Sequence, residues 1–219
     1  MRINKPLLVT LCVVLVIATA VVGTLAFLTD REEVVNTFTV GNVLIDLTET
    51  DVDTAGDPIP NAPRVQANEY HLLPGLDYTK DPQITVKAES EESYVRMMVT
   101  IEDMDKLLAI MGQDFLPETV VEGWDPAIWS CVGYTDDGQG NRTYEFRYHT
   151  TVSTMGTGDQ VLEALFQSFT VPQEINGEEL ATLKDVRIVV QGHAIQAQPF
   201  ADADAAWAAF MTQYTGQQP

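Results

Sequence analysis

Apolar and polar residues alternate along much of this chain, and that period of two is the signature of β-strands with one buried face. From Tyr94 to Ile101, Val95, Met97, Val99 and Ile101 share one parity, while Tyr94, Arg96, Met98 and Thr100 share the other. The same alternation places Ile84, Val86 and Ala88 on one face of an earlier strand. Between Asn36 and Leu47 it runs through Phe38 and Val40, then changes parity to Val43, Ile45 and Leu47 after Gly41-Asn42, which predicts a β-bulge at the glycine. Trp129 to Tyr134 and Thr143 to His149 flank Asp136-Asp137-Gly138-Gln139-Gly140-Asn141, whose glycines and Asx residues suit a tight reversal, so a hairpin is expected there. Leu165 to Val171 and Val186 to Ala197 are further strands.

Helical spacing is confined to short stretches. Asp103 is placed to cap a helix carrying Leu107, Leu108 and Met111, and Asn176 to cap one running through Leu180 and Leu183. Asp202 opens a C-terminal helix whose apolar stripe is Ala203, Trp207, Phe210, Met211 and Tyr214, a face that should cover a sheet. The stretch from Asp51 to Gln66, with Gly56, Pro58, Pro60 and Pro63, reads as a loop, and Leu72-Leu73-Pro74-Gly75 as a turn. At least seven strands without regular βα alternation predict an all-β fold with short helices, a jelly-roll-like antiparallel sandwich of two sheets.

The N-terminus breaks this pattern. Pro6 to Thr29 holds no charged residue, Arg2 and Lys5 precede it, and Asp30, Glu32 and Glu33 follow, which is the polarity of an export signal. Ala18-Thr19-Ala20 and Thr24-Leu25-Ala26 are the two small-residue cleavage sites, and cleavage between Ala26 and Phe27 is the expectation. Val21-Val22 and Gly23-Thr24 weaken a helix where a peptidase needs extended backbone. An uncleaved anchor is the competing reading, because the apolar run is long enough to span a bilayer. The expected organisation is therefore a signal peptide over residues 1–26 and a single β-sandwich domain over 27–219, exported to the cell surface or beyond.

Charge narrows the partners. The chain has 12 Lys and Arg against 32 Asp and Glu, a net charge of −20, and losing Arg2 and Lys5 with the leader makes it more negative still. Such a surface repels phosphate backbones and anionic headgroups, so neither nucleic acid nor a membrane is expected as a partner, the leader before cleavage aside. Cys12 lies in the leader and Cys131 stands by itself in the remainder, so no disulfide is expected within the mature chain, and Cys131 reads as a small buried residue.

A search for catalytic chemistry finds no motif. His71, His149 and His193 have no close ligand spacing, and each is explained locally, by a turn, a strand end and a polar strand face. Asp51 to Asp57 begins like a calcium loop but has Ala55 and Ala62 at positions that need oxygen ligands, so a solvated acidic loop is the simpler reading. Asp136-Asp137 reads as a turn, and Met97, Met98, Met104 and Met111 as packing residues. The expectation is a non-enzymatic protein with no cofactor and no metal.

One segment carries a resemblance. Gly23-Thr24-Leu25-Ala26-Phe27-Leu28-Thr29-Asp30, followed by Asn36-Thr37-Phe38-Thr39-Val40-Gly41-Asn42-Val43-Leu44-Ile45-Asp46-Leu47, resembles the start of the TasA and camelysin family of Gram-positive secreted proteins. Leu73-Pro74-Gly75, Lys80-Asp81-Pro82 and Tyr94-Val95-Arg96 extend the likeness to about Ile101, and the second half is similar only loosely. The resemblance implies a jelly roll, removal of the leader by a SipW-type signal peptidase, and assembly with like subunits into extracellular fibres of a biofilm matrix. It implies that the freed N-terminal segment, from Phe27 to about Val43, completes a neighbour's sheet, with Val34, Phe38, Val40 and Val43 as the donor side chains. A strand that pairs within its own subunit, as in a monomeric secreted binding module, is the alternative. The metalloprotease activity described for camelysins finds no ligand set in this sequence.

Overall fold

The computed structural model describes residues 29–32, 43–183 and 187–215, with side chains over 43–183 and 187–212. Among these residues the chain forms β1 (Thr29–Glu32), β2 (Ile45–Thr48), β3 (Asp77–Thr79), β4 (Gln83–Val86), β5 (Ser93–Ile101), β6 (Val121–Glu122), β7 (Trp129–Asp136), β8 (Arg142–Tyr148), β9 (Gln160–Val161), β10 (Ser168–Thr170) and β11 (Ile188–Gln196). Three helices join them: α1 (Met104–Met111), α2 (Gly177–Thr182) and α3 (Ala203–Thr215).

Five strands in the order β1-β11-β5-β8-β7 make the larger sheet, and all its pairings are antiparallel. Facing it are two three-stranded sheets, β2-β4-β9 and β3-β10-β6. The fold is an all-β sandwich, with one layer divided in two where a single second sheet was expected. The division falls between β3 and β4 at Lys80-Asp81-Pro82, where Pro82 has no amide proton to give to a ladder.

The alternation read from the sequence sets the core. Val95, Met97, Val99 and Ile101 of β5 point inward and share one core with Val43, Ile45, Ile84 and Val86 from the facing layer and with Trp129, Leu162 and Leu165. Each such side chain contributes roughly 1.5–3 kcal/mol on burial. Gly192 of β11 lies opposite Met97, and a Cβ there would come within 3.2 Å of Ile84 Cδ1 and 3.4 Å of Ile45 Cδ1. The glycine lets the two layers approach. A second core gathers Tyr78, Phe169, Val171, Ile175 and Leu183 under the smaller sheet, where the Tyr78 and Phe169 rings stack at 5.3 Å.

Local details follow the sequence in some places and depart from it in others. Asn176 accepts from the amides of Glu178 and Glu179, while Glu179 returns a bond to the Asn176 amide, so α2 starts with a complete capping box. Asp202 accepts from Ala205 N at the start of α3. Asp137 closes the β7–β8 turn by accepting from Gln139 N at 2.7 Å and Asn141 N at 3.1 Å. Asp103 does not cap α1: its φ is 51°, its amide donates to Asn141 Oδ1, and its carboxylate pairs with Lys106. Ala88 is exposed, because β4 ends two residues earlier. Cys131 is exposed on the outer strand β7, not buried, since among the described residues that strand is covered only at Trp129.

Candidate functional site

The sequence directs attention to the chain just past the leader, and the first described residues there form an edge strand. Thr29, Asp30, Arg31 and Glu32 of β1 lie opposite Ile195, Ala194, His193 and Gly192 of β11, in antiparallel register within the same subunit. β11 is bound over its full length on its other side by β5, from Ile188↔Ile101 to Gln196↔Ser93. The sheet is therefore complete from β11 to β7 without β1, and β1 covers a row of amide and carbonyl groups that would otherwise be open.

That row is held on a stiff support. Even-numbered residues of β11 face the sandwich interior, with Ala194 fully buried there, and odd-numbered ones face α3. Trp207 and Phe210 of α3 pack on Ile195. Beneath them lies Arg96, on the face of β5 opposite its apolar parity, yet only 2 % exposed. Its Nε donates to His193 Nδ1 at 3.2 Å and its Nη1 to Glu145 Oε1 at 3.2 Å. Its guanidinium carbon sits 4.2 Å from the Trp207 ring centre and 5.0 Å from that of Phe210. Burial pulls the Arg96 pKa down, and the neighbouring Glu145 carboxylate opposes that pull. Arg147 continues the network by donating to Glu145 at 2.7 Å and by pairing with Asp204 of α3. The geometry fixes a helix on a sheet and offers no reacting group.

Of the residues singled out in the sequence, Ala26, Phe27, Val34, Phe38 and Val40 lie outside the described residues, as does the Gly41-Asn42 bulge. Val43 is fully buried in the core of its own subunit beside Ile45, Ile84 and Val86. The histidines are dispersed. His71 is exposed and its amide donates to Thr54 O, His149 is exposed after β8, and His193, read as part of a polar face, is buried under α3. In the acidic loop, Asp53 Oδ1 accepts from the amides of Ala55 and Asp57, so that carboxylate closes a turn. Among the described residues no group of three or more His, Cys, Asp or Glu is arranged to hold a metal ion.

Sequence reasoning missed the Arg96 cluster, and it missed a buried ion pair between Lys80 and Glu49 at 2.6 Å. The first had a signal: a Trp-Phe stripe on the C-terminal helix requires a face to cover. The second had none, since the partners are separated by the whole 51–66 loop. Compared with known proteins, the chain matches no family model, no curated protein and no solved structure.

Proposed function

We propose that this chain is a secreted structural protein that forms or decorates extracellular biofilm-matrix fibres by exchanging its N-terminal strand between like subunits. The observation that carries the reading is the position of β1. It begins within three residues of the expected cleavage site and occupies an edge of a sheet that is complete without it. Residues 33–42 join β1 to the buried Val43, and ten residues can span up to about 35 Å. That reach suffices to lay β1 on the β11 of an adjacent subunit, with the same main-chain bonds in the new location. An exchange that preserves every bond costs little beyond association itself.

The pairing of β1 with β11 inside one subunit favours a second reading, a monomeric secreted binding module, in which the strand stays home. Deleting Phe27 to Val40 separates the two. Electron microscopy of the secreted product should show fibres from the full mature chain and none from the truncated one. Fibres from the truncated chain would refute strand donation, and a full-length protein that stays monomeric would favour the module.

A further inference from the structure

The buried pair described above has a third member. Glu49 Oε2 accepts from Lys80 Nζ at 2.6 Å, and its other oxygen, Oε1, accepts from Asn68 Nδ2 at 2.9 Å. One carboxylate thus bridges an amine and a carboxamide. Glu49 is 4 % exposed and Lys80 8 %. The carboxamide is oriented at both ends: Asn68 Nδ2 also donates to Thr50 O at 2.8 Å, and Asn68 Oδ1 accepts from Val52 N at 3.0 Å. The backbone is fixed around Glu49 and Lys80, while Asn68 is held through its carboxamide. Glu49 pairs with Val65 in both directions at 2.7 and 2.8 Å, Thr50 N donates to Asp81 Oδ1 at 2.6 Å, and Lys80 N donates to Gln167 O at 3.1 Å. Tyr70 stands beside the site. Its hydroxyl pKa is pushed up by burial first and by the Glu49 charge second, and its ring packs edge-on against Tyr78 and Phe169.

An ion pair explains why a buried lysine meets a buried glutamate, since either charge left unpaired in the interior would be costly. It does not require a carboxamide on the second carboxylate oxygen, nor a backbone amide aimed at the carboxamide oxygen. Those two features are what an acyl transfer needs: a proton carrier in contact with both nucleophile and leaving group, and a donor where negative charge develops.

We propose that Lys80 and Asn68 become joined by an autocatalytic side-chain amide bond, with Glu49 as the proton carrier. The balance is simple. Lys80 Nζ gives one proton to Glu49 and attacks Asn68 Cγ, forming the Nζ–Cγ bond. Negative charge appears on Asn68 Oδ1, where the Val52 amide receives it. Glu49 returns its proton to the Asn68 nitrogen, the Cγ–Nδ2 bond breaks, and Nδ2 leaves as ammonia, which takes one of the two protons left on Nζ and departs as ammonium, the other staying on the new amide. Nothing is oxidised or reduced and no co-reactant is needed. Glu49 holds Lys80 Nζ and Asn68 Nδ2 on its two oxygens, which keeps the reactants near each other, and the Tyr70 ring beside them limits competing attack by water. The product ties the irregular segment after the 51–66 loop to the residue that follows β3, in a chain whose described residues include one cysteine and so no disulfide.

The test is the mass of the folded, full mature chain. The expected result is a mass lower by one ammonia than the sequence requires. Trypsin should then fail to cut after Lys80 and should release residues 65–87 as one peptide lacking that ammonia, whereas Glu49→Gln should restore the full mass and the cleavage. A full-mass native chain cut normally after Lys80 would overturn the proposal. So would an ammonia loss with Lys80 still cleavable, which is the mark of a succinimide at Asn68. Both readings come from the native protein, so the proposal stays falsifiable even where Glu49→Gln fails to fold.

Discussion

Arg96 and His193 lie directly opposite each other on β5 and β11, and the guanidinium Nε donates to the imidazole Nδ1 while two aromatic rings of α3 cover the pair. A cation enclosed in this way has exchanged water for fixed partners. Arg96→Ala should therefore lower unfolding stability by on the order of 3 kcal/mol, because Glu145 loses a partner and the rings lose a contact. Arg96→Lys should recover only part of this, since an ammonium cannot reproduce a planar fork lying over two rings. Urea titrations of the three proteins check the order.

The location of β1 can be tested by chemical trapping. Thr29 and Ile195 are cross-strand partners, close enough for a disulfide. With Cys131 changed to Ser, the Thr29→Cys, Ile195→Cys protein should close an internal disulfide as a monomer. Oxidised within fibres it should run as a covalent ladder on a denaturing gel. Fibres yielding internal disulfides alone would count against exchange.

Glu163 offers a pH test with a defined sign. Its carboxyl is held below the ordinary 4.5, first by the hydrogen bond from the Tyr148 hydroxyl and then by its own backbone amide. A folded-state value below the unfolded one gives stability that is present above 4.5 and is lost as the pH falls through the folded value. Tyr148→Phe should move the Glu163 titration upward toward 4.5 in a carboxyl NMR experiment and should flatten the acid limb of the stability curve. An unmoved titration would remove the cause assigned here.

Gly56 has φ of 84°, and a Cβ built there would lie 2.7 Å from Tyr78 Cδ1 and 3.0 Å from Tyr78 Cα. Gly56→Ala should destabilise by more than about 1 kcal/mol, from left-handed strain plus a clash with backbone that cannot yield. Thermal unfolding reads this directly.

The two helix caps expected from sequence should respond differently. Asn176→Ala removes a capping box that is formed and should cost about 1 kcal/mol. Asp103→Gly removes no cap and relieves a non-glycine residue at φ 51°, so stability should be unchanged or higher. Denaturant midpoints of the two variants make the comparison.

The contrast between those caps shows how far the sequence could be read. Period-two patterns specify which face of β5 is apolar, and the interior side chains of β5 follow from them without further information. The burial of the other face of the same strand does not follow from its pattern, because Arg96 is enclosed only once α3 lies across it. Cys131 departs in the opposite direction: its neighbours have strand character, but an outermost strand that no described residue covers beyond Trp129 buries little. The division of one layer into two sheets falls at the short break Lys80-Asp81-Pro82, and the bridges Glu49↔Val65 and Val52↔Pro58 across the proline-rich loop join residues whose types do not announce a pairing. The Glu49, Asn68 and Lys80 cluster arises only after that loop closes, which is why no local spacing marks it.

The five-stranded sheet ends differently on its two sides. β7 carries a register shift between Cys131 and Gly133, whereas β1 runs in unbroken register beside β11. A kinked border is a poor template for another strand and a straight one is a good template. Growth through this sheet would thus use unlike surfaces on successive molecules, and a contact of that kind does not cap itself as a symmetric pair does. Any filament built this way would have a head and a tail, with subunits added in one orientation and distinct chemistry at its two tips.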